Sequence, residues 1–129
     1  MTVYRIDGEG VGGIADLFAA FNREFMRDED WQMGESLDAL DDVLHRLEGE
    51  TRGGDPAVVI WEAHRHSREA LGYEETQRWL LRKLAHPSAY DEARIMSDLD
   101  DLRSGTGRTY FHRVIAVFAD HPLVDLQLR

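Results

Sequence analysis

Residues Ala57-Val58-Val59-Ile60-Trp61 form an unbroken apolar run in a chain whose other long segments carry helical spacing. Such a run fits a short strand covered on both faces. Two further segments read as strands. Thr2-Val3-Tyr4-Arg5-Ile6 alternates near the start, and Leu123 to Leu128 alternates at the end. Everything between them is helical in pattern. Strands separated by helices are joined by crossovers, and crossovers make a sheet parallel. The expected fold class is α/β: a small three-stranded parallel sheet packed with helices.

The helices follow from apolar positions three and four apart. After the turn at Asp7-Gly8, Ile14, Leu17, Phe18, Phe21 and Phe25 share one face. A loop turning at Gly34 leads to a second helix, with Leu37, Leu40, Leu44 and Leu47 as its core stripe and an end expected near Gly49. Gly53-Gly54-Asp55-Pro56 breaks the chain before the apolar run. Glu62 to Leu71 is a short helix stopped by Gly72. Glu74 to His86 is helical, with Trp79, Leu80 and Leu84 inward, and Pro87 ends it. Ser88-Ala89-Tyr90-Asp91 resembles a capping signature. It opens a helix with Ala93, Met96, Leu99 and Leu102 inward. Gly105-Thr106-Gly107 turns into a last helix, Tyr110 to Asp120, with Phe111, Val114, Ile115 and Phe118 inward.

The 129 residues suit one domain with a modest core. No apolar run approaches a membrane span, and Met1-Thr2-Val3-Tyr4-Arg5 has no signal-peptide pattern. Cysteine is absent, which excludes disulfides, thiolate metal sites and a cysteine nucleophile and fits a cytoplasmic location. The net charge of -10 repels nucleic acid and anionic lipid and speeds encounter with a basic protein.

Sites for small-molecule chemistry are poorly supported. Gly8-Glu9-Gly10-Val11-Gly12-Gly13 has the glycine spacing of a dinucleotide loop, so a nucleotide-binding enzyme is an alternative reading. The fingerprint also needs an acidic residue closing a second strand roughly 20 positions on. That region, Arg27 to Gly34, is loop. His64 and His66 are two apart on a helix and do not face one another. Asp98, Asp100 and Asp101 lack the ligand ladder of a calcium loop. Neither Ser67 nor Ser104 has the strained elbow or paired base of a nucleophile. Gly105-Thr106-Gly107-Arg108 reads as an ordinary turn and cap. No catalytic residue, metal or cofactor is expected.

The stretch from Trp31 to Leu44 is different. Asp38, Asp41 and Asp42 crowd five positions of the second helix, with no lysine or arginine before Arg46. Asp38 and Asp42 are four apart and neighbour each other away from the core stripe, although like charges there destabilise a helix. Outward carboxylates at this spacing can enter a cationic groove and replace a phosphate through charge-assisted bonds.

Gly34-Glu35-Ser36-Leu37-Asp38-Ala39-Leu40-Asp41-Asp42 resembles the barstar family of ribonuclease inhibitors, whose signature is Gly-Glu-Asn-Leu-Asp-Ala-Leu-Trp-Asp. Ile6-Asp7-Gly8-Glu9, Ala15-Asp16-Leu17 and Pro56 through Trp61 are also similar to family segments. The resemblance covers residues 2 to 71 and 107 to 128. It implies one barstar-like domain over 1–129, with an inserted helical hairpin at about 73–105. It also implies an intracellular protein of antitoxin or immunity type that blocks a basic, secreted or toxin ribonuclease without a cofactor.

By motif position, Asp38 and Asp42 are the helix aspartates that meet the enzyme's basic residues, with Asp42 the anchor. Gly34 permits close approach, and Leu37 is a contact-edge leucine. The family's paired aromatics are Gln32 and Met33 here, which leaves Trp31 as the candidate aromatic anchor or marks a loop with another partner. Ser36 replaces an asparagine as a competent N-cap. Asp41 replaces a tryptophan. The expected contact set is therefore Trp31, Met33, Gly34, Ser36, Leu37, Asp38, Asp41 and Asp42. A module binding a different basic protein through the same face is the other alternative.

Overall fold

Strand β2, Ala57–Glu62, lies at the centre of a three-stranded sheet, with β1, Thr2–Asp7, on one side and β3, Val124–Leu128, on the other. Both pairings are parallel, and Val59 sits opposite Tyr4 on one side and Leu126 on the other. Ala57 through Trp61 are all buried, as a central strand covered on two faces demands. The computed structural model describes residues 1–86 and 91–129. The α/β class and the parallel three-stranded sheet agree with the sequence.

Six helices are described: α1 Ile14–Phe25, α2 Leu37–Arg52, α3 His64–Ala70, α4 Tyr73–Leu84, α5 Glu92–Arg103 and α6 Tyr110–Ala119. None is long and apolar enough to cross a membrane. A single 3-10 turn, Gly8–Gly10, follows β1. The main core joins β1 and β2 to the apolar faces of α1, α2 and α6. Trp61 is its hub, with edge contacts to Phe21 and Phe111 at 5.9 and 5.5 Å. Its indole N–H donates to Ser67 Oγ, whose hydroxyl donates to the Gly8 carbonyl, both at 3.0 Å. A Cβ on Gly8 would stand 2.1 Å from the Glu62 carbonyl oxygen, so only glycine fits there.

A second, smaller core of Leu80, Ile95, Leu99 and Leu102 joins α4 to α5, and Trp79 touches both cores. The face of α5 differs from the expected one. Ile95 is buried, whereas Ala93 is exposed and Met96 is 47% exposed. Ile95 and Met96 are both apolar and lie four and three residues before Leu99, so periodicity alone selects neither. Helix α2 runs past Gly49 to Arg52, because the effective stop is Gly53-Gly54, where Gly54 adopts φ 96°. The N-cap of α5 is Asp91, whose carboxylate accepts from the Arg94 amide. The rest of the expected signature there, and the Pro87 stop, fall outside the described residues.

Candidate functional site

The loop between α1 and α2 is fastened from both sides. The Asn22 side chain, in α1, donates to the Met33 carbonyl at 3.0 Å and accepts from the Met33 amide at 2.8 Å. Arg46, in α2, pairs with Glu29 at 2.8 Å and donates to the Phe25 carbonyl. The Ser36 hydroxyl accepts from the Ala39 amide and caps α2. These bonds hold an irregular segment in one shape. Trp31 is 47% exposed on it, with Gln32, Gly34 and Glu35 also exposed. Met33 is a correction to the expected contact set: its side chain is buried in the core, 5% exposed, so it anchors the loop from beneath.

On α2, Leu40, Val43, Leu44 and Leu47 are buried and Leu37 is half-buried against the same core. Asp38 and Asp42 are exposed, one turn apart, and neither is in an ion pair among the described residues. Gly34 meets nothing within 4 Å of a Cβ position and has no positive φ, so nothing inside the described chain demands glycine there.

Asp41, with its side chain 53% exposed, is also tied to a residue of its own chain. Its Oδ1 lies 2.6 Å from His121 Nε2, and Glu48 Oε1 lies 2.6 Å from His121 Nδ1. Burial alone would lower the His121 pKa. The bonds to Glu48 and Asp41 outweigh it and hold the imidazole above the ordinary histidine value. The bond to His121 also holds the Glu48 carboxyl below the usual carboxylate range, helped by the Leu123 amide. His121 was not singled out in the sequence. No local pattern marks it, because its partners Asp41 and Glu48 lie 80 and 73 residues away in the chain. His45, Glu48 and His121 are also close enough to hold a metal, with ligand atoms within 4.8 Å of one another. While both ring nitrogens of His121 are engaged by carboxylates, neither is turned to a metal.

Beside the acidic face, a cleft of about 700 Å³ separates the start of α2 from the α4–α5 hairpin and α6. Glu35, Ser36, Leu37 and Asp38 line it from the end of the loop and the first turn of α2, and Arg82, Lys83, Arg94 and Arg113, interspersed with Asp91 and Asp98, line it from the other side. Trp79 stands edge-on to Tyr110 at 4.9 Å, with Lys83 4.2 Å and Arg113 5.2 Å from its ring centre. Burial, then the neighbouring Arg113, lowers the Lys83 pKa. Burial, then Glu35, raises that of the Tyr110 phenol.

The glycine-rich segment does not form a phosphate cradle. Gly8 packs against the chain itself, and the amide of Ile14 donates to Glu75 Oε2 at 2.8 Å. A carboxylate of the protein thus stands where a phosphate would meet the N-terminus of α1. His64 and His66 do lie on a helix, and His64 bonds the Arg129 carbonyl through Nδ1.

The family model described as Barstar (barnase inhibitor) matches residues 1–100. The chain belongs to the barstar family. That family is one of inhibitors, not enzymes, whose protein partner is a barnase-like ribonuclease. The barstar match runs through α4 and into α5, which the sequence reading set outside the resemblance, and ends before α6 and β3. No curated protein matches the chain.

Proposed function

We propose that the protein is a stoichiometric inhibitor of a basic ribonuclease, acting inside the cell as an antitoxin or immunity protein. The loop at Trp31 and the first turns of α2 enter the enzyme's active site, and Asp38 and Asp42 take the places of RNA phosphates. The observation that carries this reading is the outward Asp38–Asp42 pair, in no ion pair among the described residues, on a loop–helix junction pinned by Asn22 and Ser36 in a barstar-family chain. Gly34 supports it, because open space around its Cα leaves room for a partner's backbone. Ser36 and Met33 set the shape of the loop, while Trp31, Leu37, Asp38 and Asp42 supply the contact. The net charge of -10 steers a cationic partner toward this face.

The fold is read as one domain over 1–129, with α4 and α5 as a helical insertion at about 73–105. Its separate small core of four side chains supports that division. Asp41, turned to His121 where the family has tryptophan, favours a target other than barnase itself.

The test captures ribonucleases from the native cell and titrates the purified protein against their RNA hydrolysis. Activity is expected to disappear at one equivalent. Asp42→Ala is expected to weaken binding roughly 30-fold or more, as the loss of a central anchor does. Glu74→Ala, at the exposed start of α4, is the control and leaves affinity within about twofold. Equal effects of the two variants would remove the proposed face.

A further inference from the structure

We propose that His45, Glu48 and His121 form a binding site for a zinc-class divalent cation, with Asp41 orienting His121. The ligand atoms of the three side chains lie within 4.8 Å of one another. His45 and Glu48 are three apart on α2, so they stand side by side on one ridge. His121 meets them from the turn between α6 and β3. Glu48 and His121 are buried, 5% and 6% exposed. His45 is exposed and makes no hydrogen bond or ion pair among the described residues. Two imidazoles and one carboxylate are a donor set that zinc favours. Hard cations such as calcium need a cage of oxygens, which this cluster does not offer.

The orienting contact is already in place. A histidine that binds a metal through one ring nitrogen typically donates the N–H of the other to a carboxylate or carbonyl. Asp41 Oδ1 stands 2.6 Å from His121 Nε2 and so leaves Nδ1 as the ligand atom. Nδ1 and Glu48 Oε1 share a proton across 2.6 Å, and a cation that displaces it gains both atoms as ligands. Zinc bonds of about 2.0–2.1 Å at a tetrahedral angle hold two ligand atoms about 3.3 Å apart. Glu48 and His121 therefore separate by about 0.7 Å as the cation enters. His45, unbonded at the surface, closes in as the third ligand. Glu48 Oε2 stays with the Leu123 amide, at 3.3 Å, which keeps the carboxylate turned to the site. Three protein ligands leave the fourth position to water. The two carboxylates, Glu48 and Asp41, supply the charge that offsets the cation.

Isothermal titration of zinc chloride into the full-length, chelator-treated protein at neutral pH tests this, with calcium chloride in a second arm. One equivalent of zinc is expected to bind, and calcium is expected to give no saturation. Asp41→Asn is expected to weaken zinc binding roughly tenfold, as loss of an orienting carboxylate does. His45→Ala is expected to lose more. Its side chain is exposed and bonds nothing in the protein, so the variant keeps the wild-type melting temperature when zinc is absent. Zinc is expected to raise the melting temperature of the wild type and not that of His45→Ala, because only a chain that binds the cation when folded gains by it. His66→Ala, on α3, is the control for capture by surface histidines and is expected to bind zinc as the wild type does. No saturation at millimolar zinc would overturn the proposal. So would His45→Ala binding zinc as tightly as the wild type, calcium binding as tightly as zinc, or His66→Ala losing as much as His45→Ala. Because the measurement needs no ribonuclease, it stands apart from the inhibitor reading.

Discussion

The contact between Gly13 and Glu75 joins the start of α1 to the first turn of α4, 62 residues away, and its strength is measurable by a double-mutant cycle. Glu75 is 12% exposed; Oε2 accepts the Ile14 amide at 2.8 Å, and Oε1 meets Arg78 at 3.2 Å. The carboxylate therefore caps α1 from a distant helix and sits against its positive end. Hydrogen bonds to a charged group contribute about 1.5–3 kcal/mol, so Glu75→Ala is expected to cost about 2 kcal/mol. A Cβ on Gly13 would stand 2.4 Å from Glu75 Oε2. The φ of Gly13 is 179°, ordinary extended backbone, so alanine fits the backbone and fails only on this contact. Gly13→Ala must push the carboxylate off the amide and is expected to cost the same ~2 kcal/mol, since it removes the same bond. Once Glu75 is alanine, the added methyl meets nothing charged. The double variant is then expected to lose about 2 kcal/mol, not 4, giving a coupling of about 2 kcal/mol. Urea unfolding of the four proteins at neutral pH measures this. Losses additive to within about 0.5 kcal/mol would refute it, because independent sites behave so.

Two further predictions concern stability. The folded pKa of His121 is raised above 6.5, so its contribution is complete below that pH and is lost as pH rises through the raised value. The folded pKa of Glu48 is lowered below 4.5, so its contribution is present above that pH and is lost as pH falls through the lowered value. The stability difference between wild type and His121→Gln, followed by urea unfolding across pH, is expected to be greatest between 4.5 and 6.5; a difference flat with pH would contradict the bridge. On α5, Ile95→Ala is expected to cost about 2–4 kcal/mol as a buried truncation. Met96→Ala is expected to stay within about 0.5 kcal/mol, and the reverse order in thermal or urea unfolding would restore the face read from spacing.

What the sequence displayed plainly was periodic. The unbroken run at Ala57–Trp61 identified the central strand, and the leucines of α2 placed Asp38 and Asp42 outward. Whatever depended on a single distant partner stayed hidden. Asn22 clamps Met33 from eleven residues away, and His121 reaches Asp41 across 80. Neither pairing leaves a local pattern, because each is one side chain meeting another through the fold. Periodicity also fails where two adjacent residues compete for one face, as Ile95 and Met96 do. There the choice is made by where α4 lies, through Leu80.

These hidden contacts divide the acids of the loop and α2 into unequal members. Asp41 is committed to His121 and holds α2 to the turn before β3. Glu35 and Asp38 border the cleft whose far side carries Arg82, Lys83 and Arg94, so part of their field falls on the protein's own cations. Asp42 does neither: it is exposed, lies outside that cleft and pairs with no cation among the described residues. On the inhibitor reading, the carboxylate with the least internal competition is the one a cationic groove meets at full strength. Asp42 is then the anchor for a physical reason independent of motif position. The α4–α5 hairpin, far from covering the acidic face, sets how much of Asp38 remains for a partner.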